Sequence, residues 1–180
     1  MSLITYNGIL DLIERGVVEN TSLDLVNGAS LDIRLGESML TESNTRCHPV
    51  HLARKAVPNM EPMPLVEGAW VLYPGQFALA NTMEVFHLPN YLAFEYKLKS
   101  SLARAGLGHA LAGWADPGWT DSTLTLELSN TLQHHPLVLR PGMKIGQVVF
   151  WFGEDVPGHA SYAVKGRYNG QRAAVESKGV

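Results

Sequence analysis

The sequence predicts a mainly β fold, a sandwich, jelly roll or barrel of short strands with a few short helices, spread over residues 1–180 as a single domain. Three observations carry this. Short runs with period-two alternation recur along the chain. Pro-Gly and Asp-Pro-Gly turn chemistry separates them. Helical spacing is confined to brief stretches.

Residues 8–15 set Ile9, Leu10, Leu12 and Ile13 at helical spacing, with Asn7 placed to cap the start and Gly16 to end it. Residues 29–35 alternate strictly: Leu31, Ile33 and Leu35 on one face, Ser30, Asp32 and Arg34 on the other. That is the pattern of a half-buried strand. Residues 41–64 hold prolines, scattered histidines and no period, and predict a long irregular excursion rather than a second domain. Strands are expected at 69–73 and 76–80 around Pro74-Gly75, then at 82–88 and 91–97. Later ones fall at 123–129, 137–139 and 147–152. The last dozen residues are polar and predict a flexible C-terminal arm that orders on binding.

Bulk properties narrow the function. A formal net charge of -3 argues against a general basic field for nucleic acid, while leaving room for a local anion site. The chain is 46% hydrophobic, enough for a core, and only 17% charged, which fits a subunit that hides surface in an oligomer. Its one cysteine, Cys47, cannot form a disulfide within the chain, so a cytoplasmic compartment is expected. No leader pattern opens the chain, and no apolar run approaches the roughly 20 residues that span a bilayer, so no membrane is expected.

Four segments offer chemistry. Lys99-Ser100-Ser101-Leu102-Ala103-Arg104-Ala105-Gly106 reads as a short helix near 101–105, started by serine and ended by glycine. Its free N–H groups, hydroxyls and cations suit a phosphate, and the same residues also fit a capped surface turn. In Trp114-Ala115-Asp116-Pro117-Gly118-Trp119 proline and glycine make a turn. Asp116 fits that turn's own cap, and the tryptophans offer either packing area or a stacking surface. In residues 123–130, Leu124, Leu126 and Leu128 share one strand face, and Thr123, Thr125, Glu127 and Ser129 the other. A glutamate is unusual there. It is either a solvated or paired charge, or a carboxyl at a cleft wall with its pKa raised by partial burial. Residues 165–172 bring three cations together with glycines and amides, as a phosphate-gripping lid or a solvated tail would.

Zinc-dependent nucleoside deaminases build their metal site from H-x-E and P-C-x-x-C. This chain has one cysteine and no H-x-E, and its histidines lack metal-ligand spacing. It also lacks a Walker loop, a dinucleotide fingerprint and a G-x-S-x-G elbow.

Taken in order, these segments resemble the dCTP deaminase family, a branch of the trimeric dUTPase-like superfamily. Lys99 to Leu107 is similar to a basic residue followed by SSLAR-x-GL, Ala112 to Trp119 to AGW-x-DPG-aromatic, Thr125 to Asn130 to TLEL-x-N, and Pro141 to Gln147 to PGM-x-IGQ. Arg167, Tyr168 and Gln171 resemble a K-Y-x-x-Q tail. Gly28 to Gly36 resembles PAS-x-D-x-RLG, and Leu72 to Phe77 an L-x-PG-x-F hairpin. The likeness runs along nearly the whole chain except 41–64.

The resemblance implies a distorted jelly-roll/β-barrel of the dUTPase-like type. It implies a homotrimer with active sites between subunits, and hydrolytic deamination of dCTP to dUTP and ammonia without zinc. Glu127 falls on the family's catalytic glutamate, which takes a proton from water, delivers one to cytosine N3 and helps ammonia leave C4. Ser100 and the Ala112 carbonyl would hold that water, with Arg104 nearby. Asp116 falls on a deoxyribose contact, and Thr125 and Leu126 line the base. Ser100, Ser101, Arg104, Tyr162, Arg167 and Gln171 would hold the triphosphate. Lys99, Leu102, Ala103, Trp119 and Gln147 complete the implied substrate contacts. Mg2+ would arrive on the nucleotide, and dTTP comes into view as an inhibitor.

A bifunctional enzyme that also removes pyrophosphate to give dUMP shares the same motifs. A dUTPase alone fits less well, because the glycine-rich C-terminal motif of simple trimeric dUTPases is missing. A non-catalytic trimeric nucleotide-binding module would keep the fold and tolerate loss of Glu127. Three departures stand out. Lys99 replaces a common arginine, and Arg167 a common lysine. Residues 120–122 hold one residue more than usual, expected as a loop insertion, since a slip within the strand would invert its faces.

Overall fold

Alternating apolar side chains dominate what folds, in a computed structural model that describes residues 2–44 and 49–179; Cys47 lies outside the described residues. Through the middle of the chain run β1 (Ser2–Leu3), α1 (Tyr6–Glu14), β2 (Val18–Glu19), β3 (Leu31–Glu42), β4 (Met60–Pro62), β5 (Trp70–Leu72), β6 (Phe77–Thr82), β7 (Val85–Phe86) and β8 (Leu92–Leu98). There follow α2 (Ser100–Arg104), β9 (Leu107–His109), β10 (Trp114–Ala115), β11 (Thr125–Asn130), β12 (Leu137–Leu139), β13 (Lys144–Phe152) and α3 (Tyr162–Lys165).

The principal sheet is antiparallel in the order β10-β8-β13-β3-β6-β11-β9, with β1 added to β13 and β4 to β3. Small sheets β12-β5 and β2-β7 flank it. Sequence neighbours are thus often not sheet neighbours, as the crossovers of a jelly roll require. The mainly β expectation holds. Leu31, Ile33, Leu35, Phe94, Leu126, Leu128 and Phe150 are fully buried in one core.

Four local expectations are corrected. The first helix starts ahead of Asn7, with extended Thr5 at its N-cap, because the Tyr6 N–H is satisfied by the Gly28 carbonyl. The helix still stops at Gly16, whose φ is +72°. The strand begun at residue 31 is not half-buried: Asp32 is as hidden as its apolar neighbours, because Lys99, Lys144 and Asn27 all bond to it. Pro74-Gly75 does not join a hairpin. Strand β5 pairs with β12, whereas β6 pairs with β3 and β11. The turn instead passes the chain between sheets and is stitched to the end of β11, where Asn130 donates to the Leu72 carbonyl and accepts from the Gly75 N–H. Finally, no serine hydroxyl caps α2, since Lys99 occupies the cap position.

Both ends of the 41–64 stretch are paired, with Thr41 opposite Glu61 and Glu42 opposite Met60. The extra residue near Asp121 sits in a loop. Asp121 takes a left-handed φ of +53° and pairs with Arg172. The phase of β11 is therefore kept: Leu126 and Leu128 point into the core while Thr125, Glu127 and Ser129 are half-buried on the other face.

Candidate active site

Strand β11 lies between β6 and β9, with Glu127 opposite Leu79 and Leu128 opposite His109. On its non-core face the Glu127 side chain keeps 23% of its exposure and borders a cavity of about 480 Å³. Ala112, Trp114, Asp116, Thr125, Tyr162 and Gln171 share that lining. Val57, Pro58 and Met60 add an apolar wall, and Tyr168, Val175 and Glu176 a further one from the tail. Mostly apolar walls with a few convergent polar groups are what a small-molecule site needs.

The electrostatics around Glu127 are simple. Burial raises its pKa above the ordinary 4.5. Its Oε2 is buried without a hydrogen-bond partner among the described residues. His109 Nε2 stands 3.3 Å from that oxygen but is not aligned as a hydrogen bond. Burial lowers His109 to about 4, so the imidazole is neutral near pH 7 and the contact is not an ion pair. Tyr96 packs its ring on His109 at 4.7 Å between centroids, and burial with the Glu127 charge keeps its phenol protonated. A carboxyl in such surroundings holds its proton more tightly than a free one, as a group that both takes and gives a proton needs.

Asp116 sits at the same cavity with its Oδ1 taking a 2.9 Å bond from Trp114 Nε1, while its carbonyl closes the turn onto the Trp119 N–H. Trp119 borders the cavity but is 4% exposed, packed on Phe86 and Phe94, and donates Nε1 to the Tyr168 carbonyl. It anchors the tail and the core rather than offering an open stacking face. Leu126 is fully buried on the core side and is not part of the cavity lining, unlike its neighbours Thr125 and Glu127.

The basic segment lies elsewhere in the chain. Lys99, Ser100, Ser101, Leu102, Ala103 and Arg104 are absent from the lining of the Glu127 cavity. Lys99 Nζ instead bonds Asp32 at 2.6 Å, and Lys144 approaches the other carboxylate oxygen at 3.1 Å. These cations hold Asp32 below the usual carboxylate range against the opposing effect of burial. Gln147 belongs to this second group: it pairs with Asp32 across β13 and β3 and accepts from the Ser30 hydroxyl. The chain therefore brings together Glu127, Ala112, Asp116, Thr125, Tyr162 and Gln171, and separately gathers Lys99, Gln147 and α2.

The tail folds back along the 119–123 loop. Thr123 and Gln171 exchange bonds, Asn169 Oδ1 accepts from the Thr120 N–H, and Arg167 donates to the Gly179 carbonyl at 2.7 Å. Sequence reasoning missed His109, Tyr96, Trp114 as an indole donor, and the 57–60 wall. Only Trp114 carried a signal, its place beside the Asp-Pro-Gly turn. Among the described residues, no helix is long and apolar enough to cross a membrane.

Residues 3–153 match the family model described as dCTP deaminase-like. Proteins named "dCTP deaminase, dUMP-forming" are similar to this chain. That of Corynebacterium jeikeium is 40% identical over 162 residues, covering 86% of this chain and 83% of the relative. That of Rhodococcus opacus is 40% identical over 161 residues, covering 86% and 82%. That of Mycobacterium leprae is 39% identical over 158 residues, also covering 86% and 82%. The crystal structure of 2′-deoxycytidine 5′-triphosphate deaminase from Agrobacterium tumefaciens superposes with a TM-score of 0.63 at 23% identity, covering 84% of this chain. The match spans 48% of that protein, about half its length, and speaks for the fold. By its family-model match and its identity to these relatives, the chain belongs to the dCTP deaminase-like family.

Proposed function

We propose that this protein converts dCTP, with two waters, to dUMP, ammonia and pyrophosphate. The observation that carries the deaminase half is Glu127, a carboxyl with a raised pKa at the wall of a cavity shared with Asp116. The relatives' shared name, dUMP-forming, favours the bifunctional alternative over dUTP as the end product. Glu127, as the carboxylate, takes a proton from the water that attacks C4 and hands it to N3; it then takes the proton of the new C4 hydroxyl and delivers it to the amine as the C4–N4 bond breaks. The carbonyl of Ala112 helps hold that water. Asp116 receives the deoxyribose, and the backbone of Thr125 and Leu126 meets the base edge.

Ser100, Ser101, Leu102, Ala103, Arg104 and Lys99 enter this scheme only if a second protomer sets its α2 against the Glu127 cavity. The segregation of the two residue groups within one protomer supports a homotrimer with sites between subunits. Tyr162, Gln171 and Arg167 then close the phosphate end from the tail. Mg2+ enters as part of the nucleotide. Zinc independence is part of the proposal, supported by the single cysteine and by the lack of any group of three metal-ligating side chains among the described residues. A cytoplasmic site of action and inhibition by dTTP complete the reading.

The test is a product assay with dCTP, dUTP, CTP and dCMP side by side. The expected result is ammonia with dUMP and pyrophosphate from dCTP, no turnover of CTP, and no ammonia from Glu127→Gln. Accumulating dUTP would place pyrophosphate removal outside this protein. Tight dCTP binding without ammonia would replace the enzyme with a binding module.

A further inference from the structure

We infer that His109 is a positioning residue for Glu127: its Nε2–H holds carboxylate oxygen Oε2, leaving Oε1 to the cavity. The inference rests on the catalytic reading of Glu127 given above.

The geometry carries it. Strand β9 delivers His109 beside β11, and the backbone N–H of Ala110 bonds the Glu127 carbonyl at 3.1 Å, so the two residues ride on one rigid pair of strands. The His109 side chain is 3% exposed, under the Tyr96 ring. Its tautomer is set by the backbone. The Leu111 N–H donates to Nδ1 at 3.1 Å, which makes Nδ1 the acceptor and leaves the ring hydrogen on Nε2. In that turn Leu111 takes a left-handed φ of +61°, uncommon for a residue other than glycine, with its N–H directed at the ring.

The hydrogen-bearing Nε2 therefore stands 3.3 Å from Oε2, out of alignment, and neither atom has a hydrogen-bond partner among the described residues. A small rotation of either side chain completes the bond and satisfies both buried groups. The other ionisable groups are accounted for. Tyr96 faces His109, and Asp116, Tyr162, Tyr168 and Glu176 line the cavity without an ion pair to either residue. Because burial keeps the imidazole neutral, it serves as a fixed donor and not as a second acid. A donor to the charged carboxylate favours that form and opposes the upward push of burial on Glu127.

The test uses the full chain in its native assembly. In wild type, 15N NMR of the His109 ring should report a protonated Nε2 and a bare Nδ1 at pH 7. His109→Phe keeps a ring under Tyr96 without the donor. It should lower kcat for ammonia release about tenfold at pH 7, with KM little changed. Both the acid limb of the pH profile and the Glu127 carboxyl titration, read by 13C NMR, should move to higher pH. His109→Gln, which returns an N–H, should recover most of the loss. If His109→Phe does not fold, His109→Asn, too short to reach Oε2, should give the same shifts. An Nδ1–H tautomer, or an unmoved Glu127 titration in a folded variant, would overturn the contact. A moved titration with unchanged ammonia release would uphold the contact and sink the catalytic role of Glu127.

Discussion

Replacing Glu127 with glutamine should stabilise the protein while it stops ammonia release. The folded state hides most of this carboxyl, and the neutral His109 ring 3.3 Å from Oε2 supplies no compensating charge. Burial is the leading influence on its pKa and raises it above 4.5. A group that binds its proton more tightly when folded contributes its full stability below the unfolded pKa. That contribution is lost as pH rises through the folded pKa. At pH 8 the wild-type protein therefore carries a charge that water would solvate better. An unsatisfied buried polar group costs about 1–3 kcal/mol, and more when charged. Glutamine keeps the shape and the polar cost but removes the charge. The residual exposure of Glu127 screens part of the difference, so the lower end applies, a gain of about 1 kcal/mol. For a domain of this size that is roughly 2–4 °C in Tm. Thermal unfolding at fixed protein concentration across pH 4 to 8 measures it. The gain should be present at pH 8 and fade toward pH 4. No gain at pH 8, or an undiminished gain at pH 4, would show that the carboxylate is not desolvated.

Arg34→Met should cost about 3 kcal/mol in urea unfolding, because it removes the Nε bond and the only cation paired among the described residues with the fully buried Glu84, while the backbone N–H of residue 34 still bonds Oε2. Glu84 is already pushed up by burial, so the loss should shrink in acid as it protonates. Gly118→Ala should cost about 1 kcal/mol or more, since φ is +87° and the new Cβ would stand 2.0 Å from Ser161 Oγ. Limited proteolysis should then cut first within residues 161–171. Stripping Mg2+ with EDTA should slow turnover of dCTP and added Mg2+ should restore it, while a zinc-selective chelator should leave the rate unchanged. Restoration by zinc alone would refute the metal assignment.

The residues differ sharply in how much of their position could be foretold. Glu127 was legible because the period-two pattern of β11 is local. Leu126 and Leu128 go to the core, so Glu127 must face the other way. Even the extra residue near Asp121 does not disturb this. The loop absorbs it in one left-handed residue held by Arg172, with Ser122 Oγ bonding the Thr120 carbonyl. What covers a face is not local, and there the reading fell short. Nothing in residues 29–35 reveals that Lys99 and Lys144 will bury Asp32, and nothing in Gly108-His109-Ala110 announces a ring beside Glu127. Nor does Pro74-Gly75 disclose that its flanking strands join different sheets, a choice made by Asn130 far along the chain.

Another non-local bond explains why the basic motif looked simpler in sequence than it is in space. As a string, Lys99 to Arg104 is a ready phosphate site. Folded, its leading cation is already paired with Asp32 at 2.6 Å. A triphosphate that uses Lys99 must therefore displace a carboxylate. Lysine, a single point charge on a flexible stem, suits that exchange better than the bidentate arginine usual at this position. Lys144 is a second partner of Asp32 at 3.1 Å, independent of Lys99. If Lys99 takes a phosphate as proposed, the second lysine on Asp32 is what keeps that buried carboxylate neutralised.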